Sequence, residues 1–113
     1  MPTNYSVGHK AEEFAVEFLS SKDFKIIGSN WKNKYCEIDI IVEKNQVIYF
    51  VEVKYRKNRD NGMGLDYITN KKLKQMIFAA EMWVDNHNYG GEYSLMAIEL
   101  EGENYQVVNF VEI

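Results

Sequence analysis

Apolar side chains recur at three- and four-residue steps along Val7, Ala11, Phe14, Ala15, Phe18 and Leu19, the spacing of one buried stripe on a helix from about Ser6 to Ser21. A second stripe, Leu73, Met76, Ile77, Ala80, Trp83 and Val84, predicts a helix from Thr69 or Asn70 to Asn86, ahead of Gly90 and Gly91. Elsewhere the pattern is that of strands. Phe24 to Asn30 is one short strand, and Tyr35 to Arg56 holds two, rich in β-branched and aromatic residues and separated by a short polar break. Lys57 to Asp66 is a polar, glycine-containing loop, while Tyr93 to Leu100 and Tyr105 to Ile113 close the chain around a turn at 101–104. The predicted order is α-β-β-β-α-β-β.

Two acidic residues interrupt strands that otherwise read as core. Asp39 sits among Ile38, Ile40, Ile41 and Val42, and Glu52 sits between Val51 and Val53, where an ionised carboxylate is costly unless a cation meets it. Side chains alternate across a strand, so Glu37, Asp39 and Ile41 share one face, and Ile48, Phe50, Glu52, Lys54 and Arg56 share another. A two-residue turn at Lys44-Asn45 places Glu37 opposite Glu52, and Asp39 opposite Phe50 and diagonal to Glu52, so that the charges cluster at one end. A slip of one residue would send Asp39 and Glu52 to opposite faces. On the first helix Glu13 and Glu17 point away from the apolar stripe, whereas Glu12 lies on its flank beside Ala15 and Leu19 and can look toward the sheet.

Length and composition narrow the picture. The 113 residues, 46 % apolar, suffice for one compact domain with a single core, spanning residues 1–113. No apolar run approaches membrane-spanning length and the N-terminus lacks a basic and apolar leader, so a cytoplasmic protein with no membrane partner is expected. One cysteine, Cys36, excludes an internal disulfide and a multi-thiolate zinc site. A net charge of −4 is poor for holding DNA by phosphate neutralisation alone. The basic residues are nevertheless grouped: Lys54, Arg56, Lys57 and Arg59 follow the second acidic strand, and Lys71, Lys72 and Lys74 open the second helix. Arg56, Lys57, Arg59 and Lys72 are candidate phosphate-binding groups.

Carboxylates gathered on one face repel unless a cation lies between them, and Mg²⁺ characteristically takes one or two carboxylates while keeping waters and room for phosphate oxygens. Asp39 and Glu52 suit that role, with Glu37 or Glu12 as outer ligands or holders of bound water. Lys54, two residues after Glu52, could orient or deprotonate an attacking water or offset phosphate charge. These residues read as a metal-dependent phosphodiesterase site; a solvated face of alternating charges is the other reading of the same pattern.

Glu37-Ile38-Asp39-Ile40-Ile41 followed by Val51-Glu52-Val53-Lys54-Tyr55-Arg56 resembles the hallmark of the YraN family of bacterial proteins, which is related to the PD-(D/E)XK nucleases and, among them, to archaeal Holliday-junction resolvases. The likeness extends over Gly8 to Ala15 and over Lys72, Ala79-Ala80 and Trp83. It implies a restriction-endonuclease-like three-layer α/β domain, a central mixed sheet flanked by helices. By that likeness Asp39 and Glu52 would be ligands of Mg²⁺ or Mn²⁺, Lys54 the superfamily lysine and Glu12 a helix-borne catalytic acid. The implied activity is an endonuclease on structured or branched DNA, acting on a two-fold junction as a homodimer. The alternative is a nucleic-acid or protein binding module that keeps the fold without cleaving. Cys36 stands where the family carries glycine, which predicts an altered backbone at the strand's entry.

Overall fold

The computed structural model describes residues 4–58 and 68–113, with side chains from Val7 onward. Among them, helix α1 (Asn4–Ser21) precedes strands β1 (Lys25–Lys32), β2 (Glu37–Lys44) and β3 (Val47–Arg56); helix α2 (Asn70–Asn86) then leads to β4 (Glu92–Glu101) and β5 (Gln106–Glu112). This is the predicted α-β-β-β-α-β-β order. The expected loop after β3 falls largely outside the described residues, and Arg59 falls there with it.

The strands form one sheet in the order β1-β2-β3-β4-β5. Hairpin neighbours run antiparallel, whereas β3 and β4, joined through α2, run parallel, which makes the sheet mixed. A parallel pair needs a crossover, and α2 supplies it. Each helix covers one face. Ala11, Ala15 and Leu19 of α1 pack on Ile40, Val42, Val51, Met96, Ile98 and Leu100, while Ala79 and Ala80 of α2 pack on Ile38, Ile41, Ile48 and Phe50. The result is a three-layer α/β arrangement. Small residues on both helix faces let the backbones approach the sheet closely, and the β-branched residues of β2 are buried on both sides.

Local chemistry explains the element ends. The Thr69 side chain accepts from the Lys72 N–H and caps α2, the start expected from the sequence. Ile77, placed on the buried stripe of α2 by its spacing, is 42 % exposed, whereas Met76 and Ala80 of that stripe are buried as expected, together with Ala79. The stripe on a single-faced helix is narrower than a string of apolar residues suggests.

The central hairpin corrects the expected register. Its turn is Asn45-Gln46, both left-handed at φ 52 and 68, and Lys44 pairs with Val47 as the last strand residue. Phe50 therefore lies opposite Ile41, not Asp39, and Glu37 is not opposite Glu52. Two left-handed central residues match the twist of the flanking strands, and asparagine tolerates that conformation better than lysine. The displacement is by two positions, so the change of register does not by itself move a side chain to the other face. Cys36 does not adopt a left-handed backbone: its N–H donates to Asn33 Oδ1 at 3.1 Å in a side-chain-capped turn that needs no glycine.

Glycine at the second turn position should make this hairpin cheaper to form. Gln46→Gly is expected to raise the unfolding free energy by about 0.5 kcal/mol, because relief of the left-handed penalty exceeds glycine's extra chain entropy. Urea unfolding of the two proteins measures it; a loss of stability would mean that the turn lies elsewhere.

Candidate functional site

The β2–β3 ladder stops at the pair Ile40–Val51, one residue short of Asp39. Beyond that point β2 remains paired with β1, through Trp31–Ile38 and Lys32–Glu37, so the two central strands diverge. Asp39 fills the opening: its Oδ2 accepts the Val53 N–H at 2.8 Å, taking the place of a backbone acceptor on the departed strand. The alternation of faces also breaks here. Ile40 and Val42 pack toward α1, but Ile38 packs with Ile41 on the α2 side. On β1 the facing position is Asn30, left-handed at φ 52, which rotates that strand in step.

Four carboxylates surround the opening. Burial is the main reason that the Asp39 carboxyl is pushed up to about 7; Glu52 is the next cause, the Val53 N–H opposes it, and Glu12 and Glu37 add to it. Burial likewise raises Glu12, against the pull of Asn30 and His9, and Glu37 raises it further. One Glu12 carboxylate oxygen is buried without a hydrogen-bond partner, 3.7 Å from His9 Nδ1. Glu52 is tied to α2, where Lys72 Nζ lies 2.9 Å from its Oε2. Thus Asp39, Glu52, Glu12 and Glu37 interact electrostatically at one end of the sheet.

The basic candidates are distributed differently. Lys54 follows Glu52 by two residues on β3, exposed, and stands beside Glu99 in the parallel register. Arg56 turns inward instead: its Nε donates to Glu99 Oε2 in an ion pair, and Asn109 Nδ2 donates to Glu99 Oε1 at 2.6 Å. Glu99 is only 2 % exposed, so this guanidinium is engaged in the fold. Lys57 is exposed just past β3, and Lys72 is engaged with Glu52. Sequence reasoning did not single out Asn30 or Glu99. An asparagine inside a strand next to Trp31 was the available sign of the first; nothing local signals the second, whose partners come from two other strands.

As holders of a divalent ion, the residues offer two hard carboxylates, Asp39 and Glu52, with Lys72 already acting as a cation on the latter. Among the described residues no three His, Cys, Asp or Glu side chains are gathered closely enough to hold a metal by themselves. Two protein ligands completed by water and substrate oxygens suit Mg²⁺, which rarely takes an all-protein cage.

Fold and site together define a three-layer α/β domain with carboxylates set in an opening between its two central strands. The chain belongs to the uncharacterised protein family UPF0102, the YraN family, whose family model matches residues 11–110. It is 41 % identical over 83 residues to a UPF0102 protein of Dictyoglomus turgidum, covering 74 % of this chain and 70 % of that one. A UPF0102 protein of Fusobacterium nucleatum is 39 % identical over 83 residues, with the same two coverages, 74 % and 70 %. One of Chloroherpeton thalassium is 34 % identical over 112 residues, covering 96 % of this chain and 87 % of that protein. No described helix is long and apolar enough to cross a membrane.

Two outcomes are expected. A carboxyl raised from 3.8 to about 7 binds its proton more tightly in the folded state, so its contribution to stability is complete below 3.8 and is lost as pH rises to about 7. Unfolding free energy should fall across that interval, with Glu12 acting in the same direction, and Asp39→Asn should flatten the slope; denaturant titrations over the range measure both. Separately, Glu99→Ala removes a buried partner of Arg56 and should cost about 3 kcal/mol, whereas Glu99→Leu combined with Arg56→Met should recover most of it. Equal losses in the single and double variants would rule out the ion pair as the cause.

Proposed function

We propose that this protein is a Mg²⁺- or Mn²⁺-dependent endonuclease that hydrolyses phosphodiester bonds in structured or branched DNA. The observation that carries the reading is the carboxylate cluster at the strand opening, centred on Asp39, whose mutual repulsion a divalent cation would relieve. Likeness of fold alone would not suffice, because one fold hosts many chemistries. Asp39 and Glu52 would hold the ion, which when bound supplies polarisation of the scissile phosphate and of a water molecule. Lys54, two residues along β3 from Glu52, offsets the charge that develops on the phosphate. The Val53 N–H keeps the Asp39 carboxylate aimed into the opening, and Lys72 holds Glu52 at the same end of the sheet. Glu12, from α1, is the candidate to orient water. A four-way junction has two-fold symmetry, so cutting it symmetrically calls for a homodimer.

A second reading rests on the Lys72–Glu52 ion pair: an ammonium at Glu52 satisfies that carboxylate without metal, as a binding module that does not cleave would require. Asp39→Asn separates the two. The amide keeps the shape but loses the charge that holds the ion, so the variant should bind no Mn²⁺ and should not cleave, while its stability in chelator stays equal to or slightly above that of the wild type. Thermal unfolding with Mn²⁺ and with chelator, alongside cleavage of single-stranded, duplex, flapped and four-way DNA, measures this. A wild-type midpoint that does not rise with metal, together with uncut DNA of every form, would leave the binding module.

A further inference from the structure

Beside the carboxylates runs a groove of about 680 Å³ between the β1–β2 turn and α2. Its floor includes Glu37 and Glu52, one wall carries Lys71, Lys72 and Lys74, and Tyr35 and Phe78 line it from opposite elements. Both rings are unusually open for their size: Tyr35 is 66 % exposed and Phe78 47 %. Among the described residues Phe78 packs on no other ring, and Tyr35 has the Lys34 ammonium 5.2 Å from its centroid. Neither ring belongs to either core cluster.

Exposed apolar rings rimmed by lysines mark an interaction surface, and the charges say for what. A phosphate chain is repelled by the acidic floor and attracted by the lysine wall, so it runs along α2 with its bases turned into the groove. Bases inside an intact duplex are stacked on one another and cannot reach side-chain rings in this way, whereas unpaired bases stack on aromatic side chains irrespective of sequence. We infer that this groove holds a single-stranded stretch of DNA, its bases against Tyr35 and Phe78 and its phosphates along Lys71, Lys72 and Lys74. The inference rests on the nuclease reading for its choice of ligand and narrows the substrate class to DNA with an unpaired segment next to the cut. Since Lys72 also holds Glu52, a strand drawn along this wall arrives beside the carboxylates.

Fluorescence anisotropy with a labelled oligothymidine and with a duplex of equal length, both in chelator, tests the groove without any cleavage. Wild type should bind the oligothymidine about tenfold more tightly than the duplex, and Tyr35→Ala and Phe78→Ala should each weaken the single-strand complex by about tenfold while changing duplex binding less than about twofold. Lys71→Gln with Lys74→Gln should weaken both forms and lower the salt dependence of binding. The exposed rings can be removed without opening the core, so thermal midpoints should stay at the wild-type value. Equal affinity for the two DNA forms, or unchanged oligothymidine binding after both rings are removed, overturns the inference. Cleavage in Mg²⁺ is scored separately. Retained single-strand preference without cleavage supports the groove and removes only the nuclease reading; cleavage without that preference removes only the groove.

Discussion

The hydrogen bond from the Val53 N–H to the Asp39 carboxylate is the contact on which the site depends. Strands β2 and β3 are paired as far as Ile40 and Val51, and a backbone donor beyond that point would be left unsatisfied where the strands separate. A side-chain oxygen replaces the missing carbonyl. The sheet can therefore open without an orphaned N–H, and the carboxylate that closes the gap is held between α1 and β3. Val53 lowers the Asp39 pKa, but burial and three neighbouring carboxylates outweigh it, and the group ends near neutrality.

That arrangement costs stability, and the surrounding structure limits the cost. Lys72 reaches from α2 to Glu52, and its own N–H is fixed by the Thr69 cap, so the first turn of the helix is tied to the site by both backbone and side chain. On the other flank, Asn30 and His9 moderate the burial of Glu12. The packing that anchors these groups lies behind them, in the two apolar layers that α1 and α2 form on either side of β2 and β3. Those layers explain how a strained polar end persists: its elements are held at their other ends by Ile40, Val42 and Val51 on one side and by Ile48 and Phe50 on the other.

Charge near the site divides by neighbourhood rather than by residue type. Glu52 and Arg56 share a face of β3, but Glu52 looks to α2 and the groove whereas Arg56 is taken up by Glu99 and Asn109 from β4 and β5. Arg56, read along the chain as part of a basic cluster, thus has a structural partner in Glu99. The lysines that open α2, grouped already in the sequence, form one wall of a groove whose floor includes Glu52.

The order of elements, the strand faces away from Asp39 and the start of the second helix were legible in the sequence, because each depends on short-range periodicity and local hydrogen bonding. Asp39 and Glu52 stood out for the same reason: a carboxylate in an apolar strand is anomalous whatever the fold. The tertiary structure decided what local spacing leaves open. The register moved by two positions because Asn45 and Gln46, and not Lys44 and Asn45, make the left-handed turn, a choice settled by pairing along the whole hairpin. The strand rotation at Asn30 and Asp39 arises where a ladder ends, which no single strand records. Arg56 met Glu99, and Lys72 met Glu52, through contacts 43 and 20 residues apart in the chain, and only the parallel pairing of β3 with β4 and the packing of α2 on the sheet bring those partners within reach.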